Sequence, residues 1–315
     1  VSARIWTVLE ALRWTTAAFT QRGVQSPRLD AELLLSRATG LSRVALYTAF
    51  DRPLSPDERD TFRMLIKRRS SGEPVQYILS SAEFWSHALE VTPAVLIPRP
   101  DTEVLVEEAL QWLRSPGAPA RPLVVDVGTG SGAIAIAVAA ELPDARVIAI
   151  DVSAEALAVA ARNVARHGLE SRIALRQGSL LECLDANDEA PDAVLSNPPY
   201  ILSAVIPTLM PEVSLFEPRL ALDGGADGLA VLAPLVRQAA SRSRTPAVLA
   251  VEIGDAEQAA QVCALMVEQG YQAPRVRHDY ARLPRVVVAT RGELVPPAGA
   301  EEDTDGTDGA KSPSP

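Results

Sequence analysis

The four residues Asn197-Pro198-Pro199-Tyr200 follow the apolar run Ala193-Val194-Leu195 and end it with two prolines. Proline has no N–H to donate and a fixed φ, so the chain leaves the strand as a rigid loop and cannot continue the ladder. Loops at strand ends are where α/β proteins hold their chemistry. The Asn197 amide oxygen and the Pro198 carbonyl supply two hydrogen-bond acceptors, and Tyr200 supplies a flat ring. Two acceptors beside an aromatic face suit a planar –NH2 group. Taken alone, the same residues also fit a strand-ending turn with a buried tyrosine.

A second constellation lies upstream. Asp126-Val127-Gly128-Thr129-Gly130-Ser131-Gly132 follows an apolar strand and opens a helix. Glycines there permit a tight turn and let a ligand approach the backbone beside N–H groups at a helix N-terminus. Gly128, Gly130 and Ala133 also satisfy the dinucleotide fingerprint, and Asp151 ends the next strand, where a ribose-binding acid belongs. A charged residue that merely ends a strand would read the same way. The loop by itself suits either a nicotinamide dehydrogenase or a methyltransferase that binds S-adenosylmethionine. Residues 197–200, at the end of the fourth strand, favour the methyltransferase. A dehydrogenase needs a proton donor near its hydride site, and neither a Tyr-x-x-x-Lys pair nor a well-placed histidine stands out.

The elements that must position these residues are legible as patterns. Residues 1–70 predict a small helical bundle. Ser26-Pro27 starts a helix carrying Leu29, Leu33 and Ala38, which Gly40 closes, and Ser55 with Glu58 forms a capping box ahead of Phe62, Leu65 and Ile66. Residues 71–100 are rich in β-formers, including Val75, Tyr77, Ile78, Phe84 and Trp85, and predict a β-hairpin linker. Thr102 is expected to cap the next helix. From Pro122, apolar runs at 123–127, 147–150, 173–175, 193–195, 247–253 and 286–289 alternate with helical stretches at 131–141, 153–167, 226–240 and 255–269. This alternation predicts an α/β fold, a doubly wound and mostly parallel sheet covered on both faces. Residues 293–315 offer little to bury and predict a disordered acidic tail.

Composition narrows the function classes. The chain has 315 residues, 47% of them hydrophobic, and a net charge of −10. Residues 1–70 carry 12 Lys/Arg against 7 Asp/Glu, whereas residues 293–315 carry 6 acids and one Lys. An acidic middle argues against a general nucleic-acid surface. Cys183 and Cys263 are unpaired in spacing, and His87, His167 and His278 are scattered, so no metal is expected. No stretch approaches the about 18 consecutive apolar residues of a membrane span. A soluble cytoplasmic protein without membrane partners is the expectation.

Along residues 5–292 the chain resembles the glutamine methyltransferases that modify peptide-chain release factors. The matching stretches are Leu29-Asp30-Ala31-Glu32-Leu33-Leu34-Leu35, Gly72-Glu73-Pro74-Val75-Gln76-Tyr77-Ile78, the run from Val95 to Glu103, the glycine loop, Ser196 to Ile201, Glu217-Pro218-Arg219-Leu220-Ala221-Leu222 and Glu252-Ile253-Gly254. Asn-Pro-Pro-Tyr is shared with DNA adenine methyltransferases, but its combination with Ile97-Pro98-Arg99-Pro100-Asp101-Thr102-Glu103 is more particular. The chain departs from the family pattern at Gly178-Ser179, where an acid near the adenine is usual, and at Ser80, where glycine is usual.

The resemblance implies a seven-stranded Rossmann-like methyltransferase sheet at 101–292 behind a small N-terminal helical domain that docks the substrate. It implies S-adenosylmethionine as cofactor and a release factor as protein partner, methylated on the glutamine of a Gly-Gly-Gln motif; the acidic middle of the chain is the separate reason to expect no stable nucleic-acid binding. By resemblance, Asp126, Gly128, Thr129, Gly130, Ser131, Gly132, Asp151, Ser179, Leu180 and Asn197 hold the cofactor. Asn197, Pro198 and Tyr200 act on the amide, and Asn197, Pro198, Pro199, Tyr200 and Arg99 touch the substrate. Glu103 suits closure over the cofactor or a plain helix start. The alternative is an adenine-amine methyltransferase acting on DNA or RNA, which would use the same acceptor pair.

Overall fold

In the computed structural model, residues 6–184, 189–242 and 246–291 are described. The tail expected at 293–315 lies outside them. Four helices come first: α1 (Val8–Gln21), α2 (Pro27–Thr39), α3 (Arg43–Thr48) and α4 (Pro56–Ser70). Capping boxes start α1 at Thr7/Glu10 and α4 at Ser55/Glu58, and Gly40 closes α2 in the left-handed region at φ 71°. The Ser26 hydroxyl, expected to cap α2, makes no cap bond, and Pro27 at the first helical position sets the start.

The buried face of α2 is not the stripe of Leu29, Leu33 and Ala38. Leu29 is 39% exposed, while Asp30, Ala31, Glu32, Leu34 and Leu35 are buried. Buried carboxylates require partners. Asp30 takes the Arg69 guanidinium at 2.6 Å, and Glu32 takes Arg28, Arg43 and the Tyr47 hydroxyl. Arg69 also reaches Glu212 at 2.5 Å, which ties the helical unit to a segment beyond the sheet's fourth parallel strand.

The hairpin expected over 71–100 is shorter. Residues 75–79 form a helix, α5 (Val75–Leu79), and only then come β1 (Ala82–Phe84) and β2 (His87–Leu89). Val75 and Ile78, three apart, both pack into the helical core, so a shared burial face overrides their β-propensity. Ser80 ends α5 at φ 54°, a left-handed conformation that explains why glycine is usual there.

The main unit begins with α6 (Glu103–Leu113) and continues as β3 (Leu123–Val127), α7 (Ala133–Glu141), β4 (Arg146–Asp151), α8 (Ala154–Arg166), β5 (Ile173–Gln177) and β6 (Ala193–Ser196). After the short helix α9 (Pro211–Ser214) come α10 (Leu232–Ser241), β7 (Val248–Glu252), α11 (Ala256–Glu268), β8 (Gln272–His278) and β9 (Pro284–Thr290). The seven strands lie in the order β5-β4-β3-β6-β7-β9-β8, with β9 antiparallel to both neighbours and the rest parallel. Alternate strand residues face two cores: Val124, Leu195 and Ala250 pack with α6 and α7, while Val125, Val194 and Val251 pack with α10 and α11. The edge strand β8 has no counterpart among the apolar runs. Its sequence holds Pro274, Arg275 and Arg277, and Glu108 of α6, fully buried, receives both arginines at 2.8 and 3.0 Å.

Replacing Arg69 with methionine would strand the buried Asp30 carboxylate and release Glu212. Removing one partner of a buried ion pair costs about 3–5 kcal/mol. Arg69→Met should lower the urea midpoint accordingly with an unchanged m-value, and a wild-type midpoint would show that this triad does not stabilise the protein.

Candidate active site

Parallel pairing of β3 with β6 puts Val127 opposite Ser196, so the glycine loop and residues 197–200 leave the sheet side by side. Between β3 and β6 the strand order reverses direction, which in open α/β sheets is where the ligand crevice lies. A cavity of about 1180 Å³ opens there, lined by Gly128, Thr129, Gly130, Ser131, Asp151, Ser179, Leu180, Asn197, Pro198 and Pro199. The walls come from four strand ends and from the segment before α6.

The glycine loop fits a nucleoside-bearing ligand. Gly128, Gly130 and Gly132 all have positive φ, and a Cβ on Gly128 would point at the Asn197 carbonyl. Asp151 ties the loop down by accepting the Gly130 N–H at 2.9 Å and the Ser153 N–H at 2.9 Å. Burial raises its pKa, and those N–H groups oppose the shift. Each carboxylate oxygen keeps a lone pair for a hydroxyl donor. Where the usual adenine acid is replaced by Ser179, Leu180 adopts φ 52° and Glu182, whose N–H donates to the Ser179 carbonyl across a turn, lines the cavity. Glu182 was not apparent from the motif spacing.

Four expected site residues stand off the cavity wall. Asp126 is fully buried behind the loop, where it accepts the Thr129 hydroxyl at 2.6 Å and the Ala135 N–H at 3.2 Å, because strand alternation turns it toward α7. Gly132 packs on Ala160 at the start of α7. Arg99 is paired with the buried Glu217 at 2.6 Å, and their neighbours Pro98 and Pro218 line the cavity in its place. Tyr200 turns its hydroxyl to Glu252 at 3.0 Å, and its ring lies against Gly254. Glu103 accepts the Trp85 N–H at 3.0 Å and so fastens the β-hairpin to α6.

The loop at 197–200 is braced from behind. Gln258 donates to the Tyr200 carbonyl at 3.0 Å and accepts the Gly254 N–H at 2.8 Å. Gly224 lies so close that a Cβ there would come within 2.7 Å of the Tyr200 backbone. Thr102 does not cap α6. Its hydroxyl accepts the Asn197 Nδ2–H at 3.0 Å, so the Asn197 Oδ1 is the atom left for the cavity. The Glu252 carboxylate, 1% exposed, is pushed up to about 7 by burial, and the Thr102 and Tyr200 hydroxyls counter that shift.

Comparison with known proteins gives the family. Residues 10–79 match the PrmC N-terminal domain model, and residues 102–208 match the methyltransferase small domain model. The release factor glutamine methyltransferase of Geobacter sulfurreducens is 48% identical over 250 residues, covering 79% of this chain and 85% of that protein. The Moorella thermoacetica enzyme is 43% identical over 289 residues, covering 91% and 99%. The chain belongs to the release factor glutamine methyltransferase family. Among solved structures, the hMettl16 catalytic domain bound to an RNA hairpin superposes with a TM-score of 0.56 at 13% identity, over 68% of this chain and 79% of that one, which bears on the fold alone. Among the described residues of this family member, no helix is long and apolar enough to cross a membrane.

Burial raises Asp126 as well as Glu252 to about 7, from ordinary values of 3.8 and 4.5. A carboxyl with a raised pKa in the folded state adds stability that is present at low pH and lost as pH rises through that value. Thermal stability should therefore decline from about pH 5 to about pH 7 and level off above it, by up to about 1.4 kcal/mol per pH unit for each group. Asp126→Asn should flatten the decline; an unchanged slope in denaturant titrations across this range would remove Asp126 from the account.

Proposed function

We propose that the protein transfers the methyl group of S-adenosylmethionine to the side-chain amide nitrogen of the glutamine in the Gly-Gly-Gln motif of a peptide-chain release factor. The observation that carries this reading is the orientation of Asn197, whose Nδ2 is spent on Thr102 so that Oδ1 is presented at the cavity beside the glycine loop. When bound, S-adenosylmethionine supplies an electrophilic methyl on a sulfonium. Gly128, Thr129, Gly130, Ser131, Asp151, Ser179 and Leu180 are the residues that would hold it.

An amide nitrogen is a weak nucleophile because its lone pair is delocalised into the carbonyl. Two fixed acceptors, Asn197 Oδ1 and the Pro198 carbonyl, would each take one N–H of the substrate –NH2 and turn its lone pair toward the methyl. Transfer would form one N–C bond at the expense of the donor's S–C bond, and the nitrogen would lose one proton to solvent. No strong base is needed. Tyr200, off the cavity wall, braces the loop that carries these acceptors through its backbone and its bond to Glu252.

A lone side chain offers too little surface for specificity. We assign the helical unit at 1–70, with its extension to Leu79, to docking of the release factor, the segment up to residue 100 to linking, and residues 101–292 to catalysis. Exposed apolar side chains on the helical unit, Val44, Tyr47 and Phe50 among them, support that assignment.

The test is transfer of label from S-adenosylmethionine to a purified release factor, with a Gly-Gly-Ala variant and duplex DNA as parallel acceptors. Label on the intact release factor alone is expected; label on DNA alone would replace this reading with an adenine methyltransferase. Loss of one transition-state hydrogen bond typically costs about 10²–10³ in rate. Asn197→Ala should show that loss in kcat with cofactor affinity retained, and Asp151→Ala should weaken cofactor binding instead; equal loss of both by either variant would contradict the roles.

A further inference from the structure

Three elements that are remote in sequence converge behind Asn197. Thr102 precedes α6, Tyr200 follows β6, and Glu252 ends β7. The Thr102 hydroxyl has one proton to give and lone pairs to receive. Asn197 Nδ2 occupies one of those lone pairs at 3.0 Å, so the Thr102 proton must find an acceptor elsewhere. The Glu252 carboxylate stands beside it, already receiving the Tyr200 hydroxyl on Oε1 at 3.0 Å, with Oε2 buried and free of other partners.

We infer that Glu252 is a positioning residue: as a carboxylate it can only accept hydrogen bonds, and through Thr102 it fixes the Asn197 amide with Oδ1 toward the substrate. The inference rests on the reading of Asn197 as the acceptor for the substrate amide. An ionised Glu252 allows one polarity, Asn197 N–H to Thr102 O, then Thr102 O–H to Glu252. A protonated Glu252 removes that constraint. Its own proton can go to the Thr102 oxygen, the Thr102 proton then points back at Asn197, and the amide turns over to offer its –NH2 to the cavity. A donor facing a substrate –NH2 cannot orient it.

The charged groups facing Glu252 are Asp101 at the head of α6 and Arg285 on β9. Asp101 raises the Glu252 pKa and Arg285 lowers it, and Arg285 is itself shared with Asp101 at 3.2 Å and Asp279 at 2.9 Å. Their opposed effects leave burial dominant, with Glu252 at about 7. The deprotonated form, and with it the productive Asn197 orientation, is gained as pH rises through that value.

The experiment is kcat at saturating cofactor and release factor from pH 6 to pH 8, for wild type, Glu252→Gln, Thr102→Val and Thr102→Ser, with cofactor affinity by calorimetry. Wild-type kcat should rise about tenfold across that range, as one ionisation near 7 requires. Glutamine cannot ionise and no longer enforces a single polarity, so Glu252→Gln should lose the pH dependence of kcat, with cofactor affinity unchanged. Thr102→Val should lose turnover as well as the pH dependence, Thr102→Ser should recover turnover, and the Val/Gln double variant should be no worse than Thr102→Val alone. Should Glu252→Gln not fold, the Val and Ser variants at Thr102 decide alone. Wild-type kcat and pH profile in Thr102→Val or in Glu252→Gln would overturn the inference. Full turnover in Asn197→Ala would instead remove the reading of Asn197 itself, whereas an inactive Asn197→Ala beside an unaffected Thr102→Val would remove only the role of Glu252 and Thr102.

Discussion

The pairing of β3 with β6 is the contact on which the site depends. These strands are separated by about 70 residues of chain yet lie in parallel register, Val127 against Ser196, with the Ser196 hydroxyl donating to the Val127 carbonyl at 2.7 Å. That single register brings a backbone cradle and an acceptor pair to one crevice. A shift by one residue would turn every side chain of β6 to the opposite core and move Asn197 out of line with the glycine loop.

The site is then held by groups that do not touch a ligand. Asp126 braces the glycine loop from behind, Asp151 pins Gly130, and Asn163 on α8 joins the Ser131 carbonyl to the β-hairpin through Glu90. On the other side Gln258 and Gly224 fix the backbone of Tyr200. Dipoles fixed in place by the fold need no rearrangement at the moment of reaction. Small glycines at 224, 228 and 254 let these braces approach closely enough to work.

Buried ions do comparable service between layers. Glu108 with Arg275 and Arg277 fastens the antiparallel edge to α6, and Asp30–Arg69–Glu212 fastens the helical unit to the segment that follows the acceptor loop. Such pairs contribute little net energy over an apolar replacement, but they are costly to break and therefore specify one arrangement of the parts. The second of them links the helical unit to α9, close in sequence to the cavity-lining residues 218–221.

Local chemistry in the chain was enough to determine the alternation of strands and helices, the glycine loop, the acid at the second strand and the proline-ended acceptor loop. Those depend on periodicity and on the special backbones of glycine and proline, which neighbours in sequence dictate. The helix at 75–79, the edge strand at 272–278 and the carboxylates buried on α2 depended on distant partners instead: a shared core, paired arginines, a salt-bridged interface. The same holds within the site. Thr102 reads as a helix cap, Glu252 as a strand end and Tyr200 as an open platform, until folding stacks separate segments and pairs Asn197 with Thr102 and Tyr200 with Glu252. Hydrogen-bond polarity is a property of who faces whom, and only the tertiary structure decides that.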